Sequence, residues 1–248
     1  MNAHTHRDPD RPLRWLLVLT LLAWGATCFG LRAETNGALT GRPPGAPELR
    51  PSRAAFLLRV AAASLVERDR AGVPAAITAA QAVLESSWGQ APITLAGNNY
   101  FGIKCKSWWG GSVVYHVDDD YDAEGRLTES CFRAYDEVAA SFRDHSDFLR
   151  GGERYARLFA LDAADLEGWA RGLKACGYAT DPAYADKLLG LIDRLGLRVL
   201  DCGTGEELAD YLLGLLEQAP DALVTADLAD LGLPVAQTIP SEYVPRGE

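Results

Sequence analysis

No two of the five cysteines in this 248-residue chain stand in C-x-x-C spacing, and of its four histidines only His116 lies anywhere near a cysteine in sequence. Zinc centres are built from such clusters, so none is expected. Basic charge is short as well: 24 Lys and Arg face 34 Asp and Glu, for a net charge of −10 and an isoelectric point near 4.9. A nucleic-acid partner would want a basic face, so that class is excluded. Passive adhesion to an anionic polymer fits an acidic surface no better, and recognition of such a polymer would fall to a shaped cleft. No internal repeat is present, which sets solenoids and propellers aside.

What is present begins with an unusual amino terminus. The stretch "MNAHTHRDPDRPLR" is polar and carries Arg7, Arg11 and Arg14. Seventeen residues without a charge then run from Trp15 to Leu31, the lower limit for crossing a bilayer. Residues 1–35 are therefore expected to be a secretory signal or an uncleaved membrane anchor over 15–31. Cys28 invites a lipoprotein reading, which Gly25 three positions earlier weakens, and "LRA" before Glu34 is a poor cleavage site. The expected location is outside the cytosol, in the periplasm or cell envelope. In that compartment cysteines pair. Cys105 and Cys131 flank a strand-like segment and are expected to form one bridge, with Cys176 and Cys202 as a further pairing.

Residues 36–52 are rich in Gly, Pro and small polar residues and read as a linker. From Arg53 the pattern is helical, with Phe56, Leu57, Val60, Ala63, Leu65 and Val66 near one face. Pro74 opens a second helix that ends near Gly89 and is apolar nearly all round, which places it centrally in its domain. Residues 98–136 change texture to aromatics, Gly-Gly and β-branched residues, and read as short antiparallel strands with "DAEG" as a turn. Helices return at roughly 137–150, 153–160, 163–175, 181–195 and 205–217, followed by a proline-containing tail. The fold class is thus α+β, mainly helical, with a small β-lobe forming one wall of a cleft. The domain is expected over 53–197, with 198–248 as a C-terminal helix and tail.

The stretch "AQAVLESSWGQA", residues 80–91, holds a single charged residue, Glu85. A carboxyl near the end of a buried helix has its pKa raised by desolvation. It can then keep its proton at neutral pH and pass it to a leaving oxygen, the general-acid role in glycoside hydrolysis. The alternative is a helix-terminal glutamate facing water or an arginine. Trp88 stands close enough to supply an apolar wall or a sugar-stacking face. "GNNYFGIK" follows, with amides beside rings, the usual lining of a carbohydrate site. Asn98, Tyr100 and Phe101 are read as substrate-binding, Asn99 as fixing the loop. Trp108 and Trp109 either stack on sugars or pack the β-lobe. His145 is expected to make a structural hydrogen bond on a helix turned from the cleft, and Asp144 and Asp147 to form a solvated face.

Six segments in order, "AQAVLESSWGQA", "GNNYFGIK", "FRAY", "SFRDHSDFL", "RYA" and "GYATDPAYADKL", resemble the glucosaminidase domain of glycoside hydrolase family 73, which includes flagellum-associated peptidoglycan hydrolases and autolysins. The likeness covers residues 53–196. It implies a lysozyme-like fold and hydrolysis of the β-1,4 bond after N-acetylglucosamine in the glycan strands of peptidoglycan. It implies Glu85 as the general acid. The family's second carboxylate sits on the β-lobe, where this chain has "VDDDYDAEG". Asp120 before Tyr121 is the best match, an Asp for the family's Glu, with Asp118, Asp119 and Glu129 as rivals. Tyr178 matches a tyrosine that lines the family's cleft, and Tyr184 in the same segment is read as substrate-binding. The chemistry implied is either inverting, with Asp120 activating water, or assisted by the substrate's own N-acetyl group, with Tyr178 or an aspartate steadying the developing oxazolinium charge. It needs neither metal nor organic cofactor. A muramidase or lytic transglycosylase on the same fold, or a non-catalytic wall-binding scaffold, are the competing readings. Expected partners are peptidoglycan strands and, if residues 15–31 are retained, the membrane; no protein partner is indicated.

Overall fold

The computed structural model describes residues 48–121 and 124–219. The signal or anchor expected over 1–35, most of the linker, and the tail after 219 lie outside the described residues. Among those described, no helix is long and apolar enough to cross a membrane.

Helix α1, Pro51–Ala71, opens with a proline in its first turn, where the missing N–H has no intrahelical partner to lose. It stops at Gly72, whose left-handed φ of 75° lets its N–H close on Arg68 O. Helix α2, Ala75–Glu85, is buried at every position from Ala75 to Val83. Its many alanines let neighbours approach closely, and it packs against α1, α5 (Leu166–Ala175), α6 (Tyr184–Arg194) and α7 (Val199–Cys202). It ends at Glu85 rather than near Gly89, because the next residues turn sharply.

The amino end of α2 has no cap of its own, since Pro74 precedes it. Asp201 on α7 does that work from 125 residues away: its two oxygens accept the N–H groups of Ala75 and Ala76 at 2.9 and 2.7 Å. Burial pushes the Asp201 pKa up to about 6, against the pull of those two donors. Asp201→Ala orphans both N–H groups at a buried helix end, and should cost about 2 kcal/mol in urea unfolding. An unchanged midpoint would mean that water replaces the carboxylate.

Residues 198–219 are not separate from the helical core. Helix α8, Gly205–Gln218, starts with a capping box between Thr204 and Glu207 and packs on α1. Tyr211, Leu212, Leu215 and Leu216 join the same buried cluster as Leu57 and Ile77, and Tyr211 donates to Leu195 O at 2.8 Å. Residues 153–160 form a helix over the expected range, of the 3-10 type. Two other boundaries shift for local reasons. Helix α5 begins at Leu166, not 163, because Asp165 caps it by accepting from Gly168 N. Helix α6 begins at Tyr184, after Asp181 has turned the chain by accepting from Ala183 N at 2.9 Å.

The β-lobe lies between short helix α3, Pro92–Gly97, and helix α4, Val138–Gly151. Strands β1 (Val113–Tyr121) and β2 (Leu127–Arg133) pair antiparallel from Val113↔Arg133 to Val117↔Glu129, then slip so that Tyr121 opposes Leu127. A bridge from Lys104 to Phe132 adds a third extended segment. Cys105 and Cys131 form the expected disulfide across that edge. The further pairing does not form: Cys176 is a buried thiol donating to Arg154 O, and Cys202 is exposed and free.

The loop "GNNYFG" is held from inside. Asn99 is buried, its Nδ2 donates to Ile103 O and Arg133 O, and its Oδ1 accepts from Phe101 N and Ile103 N. The structural reading of Asn99 is therefore the observed one. Arg133 is also buried. Its Nη1 meets both oxygens of Asp144 at 2.7 and 2.8 Å, and its guanidinium lies 4.7 and 4.6 Å from the ring centroids of Trp108 and Trp109. Asp144 is thus the counter-charge of a buried cation instead of part of a solvated face. Asp147 is exposed, as expected, and pairs with Arg70.

Candidate active site

Three elements converge on Glu85: the carboxy end of α2, the turn after it, and the start of α6. The turn is strained. Ser87, Trp88 and Gly89 are consecutive left-handed residues, with φ of 51°, 60° and 76°. For the two that carry a Cβ this costs about 1–2 kcal/mol each, and Ser86 helps to hold them by bonding Ala82 O and accepting from Gly89 N. Gly89 is required twice over, since a Cβ there would lie 2.7 Å from the Phe56 ring. Strain of this kind persists where the surroundings over-determine it, which is common beside reacting groups. Trp88 packs its ring near Phe56, with the Arg53 guanidinium 4.7 Å from its centroid.

The Glu85 carboxyl is half-buried, and desolvation raises its pKa above the usual glutamate range. Tyr184 Oη donates to Glu85 Oε1 at 2.8 Å and accepts from Gln81 Nε2 at 3.0 Å. That chain fixes the protons. Gln81 Nε2 can only donate, so the single phenolic proton of Tyr184 points at Glu85. Oε1 is then an acceptor, and the carboxyl proton of the acid form resides on Oε2. Tyr184 opposes the desolvation by steadying the carboxylate. In Tyr184→Phe the Glu85 pKa should therefore rise further, and the basic limb of the pH–rate profile should move to higher pH. A limb that stays in place would show that another group sets it.

Tyr178 stacks on Tyr184, with ring centroids 5.7 Å apart and planes 24° from parallel. Its hydroxyl reaches towards Phe101 O at 3.4 Å, and burial with the nearby Glu85 charge raises its pKa well above the usual phenol value. Both phenols stay neutral and can act as donors. Tyr184 is 3% exposed, so it bonds Glu85 from within the core and has little ring surface to offer a sugar.

Two of the other expected contact residues are buried. Tyr100 and Phe101 are 5% and 3% exposed and belong to the core, because the Asn99 network turns their rings inward against Phe142. Asn98 takes a left-handed φ of 50° and donates its amide to Tyr135 O, tying α3 to the end of the β-lobe. Trp108 is 70% exposed, its ring held on Arg133. His145 is fully buried and stacks on Phe101 with ring centroids 3.9 Å apart, while Tyr178 meets its edge. Neither imidazole nitrogen has a hydrogen-bond partner among the described residues, so the expected structural bond is absent. Burial drives the His145 pKa down to about 3, and the neutral ring serves as an aromatic plate behind Tyr178.

Asp120 lies near the end of β1, half-exposed, where the register slips. Lys104 Nζ binds it at 2.8 Å and Asp118 at 2.9 Å, and Ser130 Oγ donates to Asp120 as well. The hydrogen bond from Lys104, then that from Ser130, hold the Asp120 pKa below the usual aspartate value. The side chain of Asp119 lies outside the described residues. Gln81, Lys104 and Ser130 were not anticipated. Gln81 had a legible signal, a lone amide four residues before Glu85 on an apolar helix; the other two meet Asp120 only through the folded hairpin.

One carboxyl thus sits at the end of a buried helix with its pKa raised by desolvation, and another, on a separate lobe, has its pKa lowered by the hydrogen bonds from Lys104 and Ser130. A pair of carboxyls tuned in opposite directions suits acid-assisted cleavage of a glycosidic bond, and the class that this fold and arrangement fit is the glycoside hydrolases. Comparison with known proteins narrows the class. The family model described as mannosyl-glycoprotein endo-beta-N-acetylglucosaminidase matches residues 61–197, more than half of the chain, which belongs to this glucosaminidase family. The chain is 39% identical over 126 residues to the peptidoglycan hydrolase FlgJ of Pseudomonas aeruginosa, covering 48% of this chain and 31% of that protein. It is 34% identical over 128 residues to the exo-glucosaminidase LytG of Bacillus subtilis, covering 50% and 45%. A crystal structure of a peptidoglycan hydrolase mutant from Sphingomonas sp. A1 superposes with a TM-score of 0.51 at 34% identity, over 59% of this chain and 98% of that one. The chain spans about a third to under half of the length of these curated relatives.

Proposed function

We propose that this chain is an exported enzyme of the cell envelope that hydrolyses peptidoglycan at the β-1,4 bond after N-acetylglucosamine, with Glu85 as general acid. The observation that carries the reading is the state of Glu85: desolvation raises its pKa, and the Tyr184 hydrogen bond to Oε1 leaves Oε2 to carry the acid proton. Such a group protonates the glycosidic oxygen as the bond breaks. The names of the peptidoglycan hydrolase and exo-glucosaminidase relatives support the substrate and the bond. The uncharged segment 15–31 supports export, and its retention would hold the enzyme at the membrane.

Asp120 is the second carboxylate of this proposal. Its ionised state suits it to take a proton from water on the opposite face of the sugar, or to steady the positive charge that develops when the N-acetyl group attacks. Tyr178, Trp88 and Trp108 are the proposed sugar contacts. The configuration of the first-formed reducing end, followed by NMR, separates the two routes: inversion supports water attack, and retention supports the N-acetyl route.

The test is muropeptide analysis of peptidoglycan digested by the full chain in detergent, beside Glu85→Gln. Reducing-end N-acetylglucosamine, absent with the variant, is the expected result. Reducing-end or anhydro muramic acid would overturn the bond assignment. A folded protein that binds wall and releases nothing would make it a scaffold.

A further inference from the structure

The two groups that hold Asp120 are each next in sequence to a half of the disulfide. Lys104 precedes Cys105, Ser130 precedes Cys131, and both side chains bond the same Asp120 carboxylate. The bridge also aligns the backbones that carry them: Cys105 N donates to Cys131 O at 2.8 Å, and Lys104 bridges to Phe132. On the other side of Lys104 the segment is held by Ile103, which bonds Asn99 and accepts from Arg133 N; the covalent link is the tie on the Cys105 side. With it, the ammonium is kept within reach of a strand position where the register slips and the ladder no longer fixes the chain.

We propose that Lys104 and Ser130 are positioning residues for the second carboxylate, and that the Cys105–Cys131 disulfide is the staple that keeps both on Asp120. This rests on the reading of Asp120 given above. The charged and titratable groups around it are Lys104 from the bridging segment, Asp118 from its own strand, which shares Lys104, and His116, which opposes Ser130 in the register. Lys104 supplies the positive charge that favours the ionised carboxylate, and Asp118 competes for it. The ammonium does a second thing: it fixes the direction in which the remaining lone pairs of Asp120 face.

The sign of the expected effect follows. An adjacent cation lowers a carboxylate pKa. Removing Lys104 lets the Asp120 pKa climb back towards the ordinary aspartate range, so the carboxylate is protonated, and the enzyme switched off, at a higher pH on the acidic side.

The experiment compares pH–rate profiles on purified peptidoglycan for the full-length wild type, Lys104→Met, Lys104→Arg, Ser130→Ala, the double variant Cys105→Ser/Cys131→Ser, and Asp120→Asn, each checked for folding by its thermal midpoint. Lys104→Met and the double cysteine variant are expected to move the acidic limb up by about one pH unit, with Ser130→Ala moving it less. Lys104→Arg should keep the limb at the wild-type position, a rescue that a purely structural role would not produce. If Asp120→Asn is inactive and Lys104→Met keeps the wild-type limb, the positioning role is wrong while the carboxylate assignment stands. If Asp120→Asn retains full activity, the assignment itself fails and the inference falls with it. If Lys104→Met moves the limb and the double cysteine variant does not, the staple is refuted.

Discussion

Glu85→Gln should lower turnover on peptidoglycan by about 10³-fold and, at neutral pH, raise the thermal midpoint of the same protein. The two effects have one origin. Desolvation places the folded-state pKa of Glu85 above its ordinary value, so ionising this group costs free energy in the folded protein that it does not cost in the unfolded chain. The neutral carboxyl carries its full stabilising share below the unfolded glutamate pKa, about 4.3. That share is lost as pH rises through the folded pKa. The amide loses nothing over the same window, and its Oε1 can still accept from Tyr184. The midpoints of wild type and variant should therefore agree near pH 4 and diverge with rising pH, the variant being more stable. Calorimetry across that range checks the stability effect, and product release checks the catalytic one. Retained activity would move the acid elsewhere, and parallel midpoints at every pH would show that Glu85 is not desolvated. A site group kept at a cost to stability is the usual trade between activity and stability.

Asp144→Ala should be the most destabilising of the substitutions considered, by about 3–5 kcal/mol in urea unfolding. It strips the counter-charge from Arg133, which is 2% exposed and whose Nε already lacks a partner among the described residues. It also removes the acceptor of the Tyr135 hydroxyl, now bonded to Asp144 at 2.6 Å. The guanidinium would be left between Trp108 and Trp109 with no anion to meet it. Arg133→Met should cost less, although it breaks the same ion pair, because Asp144 is 21% exposed and can turn to water. Equal losses in the two variants would show that the lost contact, and not the stranded cation, sets the cost. The β-lobe would suffer first, since Arg133 closes the hairpin end that carries the exposed Trp108 platform.

Much of the frame was legible before any coordinates, for a physical reason. An apolar pattern over many residues has few ways to be buried, so the central place of α2 follows from its composition. The carboxyl at its end is conspicuous for the same reason: a single charge in a run of alanine, valine and leucine has to be explained. The hairpin between the second helix and the later helices was readable from its turn and β-branched residues, and Cys105 and Cys131 from the segment they flank. Residues whose partners are distant in sequence were not legible. Asp144 looks like any charge on a helix until Arg133 is found beneath it, and His145 looks like a hydrogen-bonding residue until Phe101 is found against its face. Tyr100 and Phe101 look like sugar platforms until the Asn99 network turns them inward.

The sequence by itself singled out Glu85 as the proposed acid and determined which helix buries it. The tertiary structure decided how that acid is tuned. Tyr184 reaches Glu85 across 99 residues of chain, Asp201 caps the same helix from beyond the segment that the family model matches, and Lys104 meets Asp120 only where a disulfide and a slipped register bring them together. Periodicity is a local property and is written in the order of residues. Hydrogen bonds and charge pairs between distant segments depend on where packing places each backbone, and no local pattern records that.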